Sequence, residues 1–174
     1  MWGLENNPHL EKVHTYALKR FINVPLHSSN KIVYGETGRY PLYIRTYVKC
    51  IKYWLKLVKL PLSRLCAQAY EMLRRQQERG RDNWATKVKQ VLMENGFGIV
   101  WMCQGVGHDL EFIREFRDRL IDSYKQNWHF EVENNDKYSW FFSFKSIFHV
   151  EKYLLVLTKK WYRDMLARFR TRTL

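Results

Sequence analysis

Residues 39–60 read RYPLYIRTYVKCIKYWLKLVKL, a run with no acidic residue, set between Pro41 near its start and Pro61 just past its end. At about 100° per residue, Arg45, Lys49, Lys52, Lys56 and Lys59 follow spacings of 4, 3, 4 and 3. All five therefore fall within roughly a quarter of a helix circumference. Two apolar rows, Ile44-Val48-Ile51-Leu55-Val58 and Tyr43-Tyr47-Cys50-Trp54-Leu57, keep the same period and together cover about half of it. The pattern predicts one helix with a wide core-facing surface edged by a continuous cationic rail.

Working outward, the chain has 174 residues, 46% apolar and 16% aromatic, which is enough to bury a core. This length predicts a single helical domain over 1–174, with sub-lobes 1–95 and 96–174 as the alternative. The formal net charge is +13 and the pI about 9.8. A field of that sign favours polyanions, either nucleic acid or an anionic membrane surface. Cys50, Cys66 and Cys103 form no C-x-x-C pair, which argues against a disulfide framework or a zinc ribbon. No run of 18 apolar residues is present, so no transmembrane segment is expected. The first residues, MWGLENNPHLEK, lack the layout of a signal peptide. The expected location is intracellular, nuclear or cytoplasmic.

Punctuation along the chain sets the other elements. Asn7-Pro8 predicts a helix start, with Leu10, Val13, Ala17 and Phe21 on its inner face and Val24-Pro25 at its close. Residues 26–40 predict a loop holding at most a short helix, capped from Ser28, Ser29 or Asn30. After the rail helix, Pro61 to Arg79 predicts a helix with Leu62, Leu65, Ala69, Met72 and Leu73 inward. Asp82 or Asn83 caps a third, with Trp84, Val88, Val91 and Leu92 on one face. Residues 97–107, FGIVWMCQGVG, fit a short buried strand or a single helical turn equally well. Asp109 begins a long helix to about Trp128, with Leu110, Ile113, Phe116, Leu120, Ile121 and Tyr124 inward. A short aromatic helix from Asp136 through Phe148 and a last one capped by Thr158 complete the chain. The fold class is all-α, an irregular bundle of about six to eight helices.

The residues offer little for catalysis. Metal-assisted phosphoryl transfer needs carboxylates that can share a cation, and no two acidic residues are adjacent in the chain. There is no G-x-S-x-G, no phosphate-binding glycine motif and no H-E-x-x-H around His9 and His14. No catalytic residue, metal ligand or cofactor is therefore expected. Binding is the remaining reading: cations meet phosphates and rings stack on unpaired bases. The expected nucleic-acid-binding residues are Arg39, Arg45, Lys49, Lys52, Lys56, Lys59, Arg168, Arg170 and Arg172, with Tyr40, Tyr53, Trp84 and Trp161 as stacking rings. Trp54, Trp128 and Phe116 are assigned to the core.

Residues 34–57, YGETGRYPLYIRTYVKCIKYWLKL, resemble the segment that follows the polymerase domain in non-LTR (LINE-type) retrotransposon reverse transcriptases. There a G-E-x-G-R-x-P-L stretch leads into a helix carrying K-Y-W. Trp2-Gly3, LEKVHTYALKRFINVP and Ser29-Asn30 upstream also fit that pattern. So do NWATKVKQVLMENGFGIVW, QGVG, FIREFRDRLIDSYKQNWH and LARFRTRTL downstream. The resemblance implies a helical support that contacts RNA or primer-template through basic surface, with the remainder of a reverse transcriptase as partner. The polymerase aspartates and the endonuclease would lie outside this stretch, so none is transferred, and the chain reads as a fragment or degenerate copy. On that reading some apolar surface near the N-terminus lacks its partner.

Two readings therefore compete: a non-catalytic nucleic-acid-binding module, or a module that docks a protein or an anionic membrane through the amphipathic helix at 41–60. The second requires Ile51, Trp54 and Leu55 to be exposed.

Overall fold

A computed structural model describes residues 4 and 7–173; the Trp2-Gly3 pair of the resemblance lies outside them. Among the described residues the fold is all-α, with ten α-helices and one 3-10 turn. The helices are α1 (Pro8–Phe21), α2 (Asn30–Thr37), α3 (Leu42–Val58), α4 (Leu65–Glu78), α5 (Trp84–Glu94), α6 (Gly98–Met102), α7 (Asp109–Glu133), α8 (Ser139–Phe142), α9 (Lys152–Val156) and α10 (Lys160–Arg170). Three of these are only four or five residues long. The chain divides into two compact units: residues 1–6 with 43–121, and residues 7–42 with 122–174. The divisions fall inside α3 and α7 and not near residue 95, so each unit draws on separate stretches of chain.

The first unit is built on α3. Ile51 and Trp54 are fully buried, Leu55 is 1% exposed, and Ile44, Cys50 and Leu57 lie inward with them. Both apolar rows thus pack as the period requires, and the face needed for docking through this helix is core. Trp54 stacks on Trp101 of α6, ring centroids 5.8 Å apart. Its indole N–H donates to the Tyr70 hydroxyl of α4 at 2.8 Å, and that hydroxyl donates to Gln104 Oε1 at 2.5 Å. A buried indole donor is thereby satisfied, as a core tryptophan requires. Residues 97–107 resolve to the single helical turn α6, followed by Gln104 with positive φ. Phe97 ahead of α6 meets Phe112 and Phe116 of α7 edge-on at 5.3 and 5.6 Å. At α5, Asn83 accepts from the backbone N–H groups of Ala85 and Thr86, while the Thr86 hydroxyl accepts from the Asn83 N–H. This reciprocal capping box starts the helix at the expected residue.

The second unit gathers α1, α2, the far part of α7, α8, α9 and α10. Its centre is α2, which the sequence suggests only as a short element in a loop. Residues Ile32 to Thr37 are all buried. A Cβ on Gly35 would come 2.7 Å from the Trp128 ring and 3.1 Å from Phe141, so glycine lets these aromatics close on the helix. Trp128 and Phe141 are essentially inaccessible, and the Trp128 N–H donates to the Lys31 carbonyl at 2.9 Å. Gly38 ends α2 in the left-handed region, as helix C-termini commonly do. An isolated antiparallel bridge joins Thr37 to Val150.

Five expectations about packing, extent and capping are corrected. In α1 the row Leu10-Val13-Ala17-Phe21 faces solvent, and the buried side carries Thr15, Lys19 and, just past the helix, Ile22. The helix expected from Pro61 begins at Leu65; Leu62 ahead of it and Leu65, Ala69 and Met72 within α4 are exposed, while Ala67 and Tyr70 are buried. Leu110 on α7 is 78% exposed and Phe112 is buried instead. The segment after Asp136 forms one 3-10 turn and the four-residue α8, with Asn135 as the capping side chain, and it stops at Phe142 well short of Phe148. Lys159, not Thr158, precedes α10, and without a side-chain cap.

Candidate nucleic-acid interface

The four basic side chains of α3, with Lys59 just past its end, are all exposed, on the side of the helix away from the buried rows. Lys59 pairs with Asp109 at 2.7 Å. Among the described residues, Arg45, Lys49, Lys52 and Lys56 have no carboxylate within ion-pairing distance. The rail arises because the apolar rows claim about half of the circumference and the run contains no acid to neutralise it. Tyr53 lies about 40° around the helix from Lys49 and is half exposed. Its ring meets Trp84 at 6.2 Å, and Trp84 meets Tyr70 at 6.3 Å, both edge to face. An accessible ring held beside a row of free cations matches the chemistry of single-stranded nucleic-acid surfaces, where phosphates meet ammonium groups and bases meet rings.

The remaining expected residues belong to the other unit. Arg39 follows Gly38 and is exposed. Arg168 is exposed, and its Nε donates to the Asn23 carbonyl at 3.0 Å. Arg172 is exposed in a left-handed backbone position. Arg170 differs from these, because its side chain is only 12% exposed and is committed inward. Its Nε donates to Glu36 at 2.9 Å and its Nη2 lies 3.3 Å from Glu151. Of the stacking candidates, Trp161 is 64% exposed against Tyr162, with Lys159 over the Tyr162 ring. Tyr40 is half-buried and stacked on Phe148 at 5.1 Å. Trp54, Trp128 and Phe116 are fully buried, as assigned.

Arg170 belongs to a buried charge network that the sequence does not announce. Glu36 is inaccessible to solvent and accepts from the Tyr153 hydroxyl at 2.7 Å as well as from Arg170. Lys145, 1% exposed, pairs with Glu151 and donates to the His149 carbonyl. Two acids and two bases thus cancel. Burial pushes the Glu36 carboxyl above its usual range, opposed by the Arg170 charge and the Tyr153 hydroxyl. Burial likewise lowers the Lys145 ammonium, opposed by Glu151. The Tyr153 phenol is raised by burial and then by the Glu36 charge. The members lie between residues 36 and 170, so no local spacing could have revealed them. The G-E-T-G-R stretch is therefore architectural here: Gly35 and Gly38 permit close approach, and Glu36 anchors the C-terminal helix.

Among the described residues no group of three His, Cys, Asp or Glu side chains gathers as a metal-ligand set. None of the described helices is long and apolar enough to cross a membrane. No protein-family profile, curated protein or solved structure matches the chain.

Proposed function

We propose that this chain binds nucleic acid through the cationic face of α3, without base specificity and without catalysis of its own. The observation that carries this reading is the separation of faces on α3: the apolar rows are core, and four unpaired bases with Tyr53 beside them are left to solvent. The net charge of +13 supports it by drawing polyanions toward the surface at long range. Arg39, Arg168 and Arg172 supply further exposed cations. On the motifs at residues 34–57, the module corresponds to the helical region after the polymerase domain of a LINE-type reverse transcriptase. Its natural partners on this reading are RNA or primer-template and the rest of such an enzyme, in the nucleus or cytoplasm.

The test is a titration of labelled single-stranded RNA and DNA against the chain and a variant with Lys49, Lys52 and Lys56 all changed to Glu. Affinity is expected to fall about tenfold to a hundredfold, at roughly 1 kcal/mol or somewhat less per contact. All three side chains are exposed, so the thermal melt should be preserved. Undiminished binding by a folded variant would overturn the proposal.

A further inference from the structure

The solvent face of α1 is as apolar as a core face. Leu10, Val13 and Phe21 are 60%, 67% and 66% exposed, and Ala17 completes the row between them. At about 100° per residue these four span roughly 80° of the helix, close to the width of a core-facing stripe. Large contiguous apolar surface is uncommon on a protein that works alone. The charges of α1 are sorted to match. Its one acid, Glu11, turns inward, accepting from the Leu42 backbone N–H at 2.9 Å and from the Tyr34 hydroxyl. Lys19 also turns inward and donates to the Leu26 carbonyl at 2.9 Å. The exposed cations, Lys12 and Arg20, lie on the same edge of the stripe, on a row shared with Tyr16 and His9.

We infer that this face of α1 docks an acidic amphipathic helix of a partner protein. The partner helix would lay apolar residues along the stripe and carboxylates along the Lys12–Arg20 edge. Three other occupants fit less well. A nucleic acid offers phosphates to the edge but leaves the aliphatic stripe without an apolar partner. An anionic membrane favours cations flanking the stripe, whereas here one edge alone is basic. A second copy pairing antiparallel would set the two basic edges against each other, a like-charge contact that opposes association. A helix with its own acidic edge satisfies stripe and charge together. This surface uses none of the residues of the α3 rail, so either proposal can fail without the other.

The experiment uses the full chain and two fluorescent helical peptides of identical apolar face, one with Glu along its borders and one with Lys. Binding is read by anisotropy. The Glu peptide is expected to bind at least tenfold tighter than the Lys peptide. Leu10→Glu with Val13→Glu should abolish binding, and Lys12→Glu with Arg20→Glu should reverse the preference between peptides. The rail variant should bind the Glu peptide as the parent does. The edge variant alters only exposed charges, so it keeps the test valid if the stripe variant fails to fold. Absence of Glu-peptide binding, or binding indifferent to peptide charge, would overturn the inference. So would a stripe-dependent dimer in sedimentation, or stripe-dependent adsorption to phosphatidylserine vesicles without peptide binding, which assign the face to a second copy or to a membrane.

Discussion

Gly38 leaves α2 with φ of 61°, and a Cβ there would sit 2.4 Å from the Val150 backbone nitrogen. Gly80, with φ of 79°, has nothing within 4 Å of the same imagined atom. The pair separates backbone strain from steric contact. Gly80→Ala should cost about 1 kcal/mol, the left-handed penalty alone. Gly38→Ala should cost at least about 2 kcal/mol more, because the Thr37–Val150 bridge must also give way. Urea unfolding midpoints of the two variants check this, and equal losses would refute it. Glu36 is the other decisive residue. Glu36→Ala strands the buried Arg170 guanidinium and the Tyr153 hydroxyl, and breaking such a buried pair costs about 3–5 kcal/mol. An effect below about 1 kcal/mol in the same unfolding measurement would show that Glu151 alone suffices for Arg170. Neither role could be read from the sequence. Gly-Glu-Thr-Gly advertises bends, but Val150, Arg170 and Tyr153 are more than a hundred residues away.

At the scale of elements, legibility tracked how many signals agreed. Helix α3 was readable in both extent and phase because its apolar rows and basic row share one period. Helix α5 was readable at its start because Asn83 and Thr86 stand three apart as a capping box demands. Asn83→Ala removes two accepted bonds and the one its amide donates to the Leu73 carbonyl at 2.9 Å. The expected loss is about 2 kcal/mol, the upper part of the range for caps, measured as a lowered urea midpoint. Helices α1 and α4 were legible in existence and wrong in phase. In α1 the apolar period predicts the wrong core face, because the true inner face holds Glu11, Thr15 and Lys19, each bonded to a neighbour. In α4 the buried Tyr70 depends on Trp54 and Gln104 for its hydrogen bonds. Polar residues can be buried once tertiary partners exist, and a one-dimensional period cannot see those partners.

Over the whole molecule, the charge of +13 makes any nucleic-acid binding strongly dependent on salt. The log of affinity should fall linearly with the log of salt concentration, by about 0.7 per contacted phosphate for single strands. Changing Lys49, Lys52 and Lys56 to Gln should therefore flatten that slope by about 2, in titrations across a salt series. An unchanged slope would place the phosphate contacts elsewhere. Sequence alone determined that the chain is helical, that a long amphipathic helix occupies residues 41–60, and that five bases line one side of that stretch. Those properties follow from local period and composition. Tertiary structure alone decided that the chain forms two compact units, each drawn from separate stretches of sequence, that Arg170 is an internal anchor among exposed arginines, and that α1 turns its apolar row outward. Each of these depends on which distant groups satisfy a buried charge or hydrogen bond, because burial without such a partner is costly.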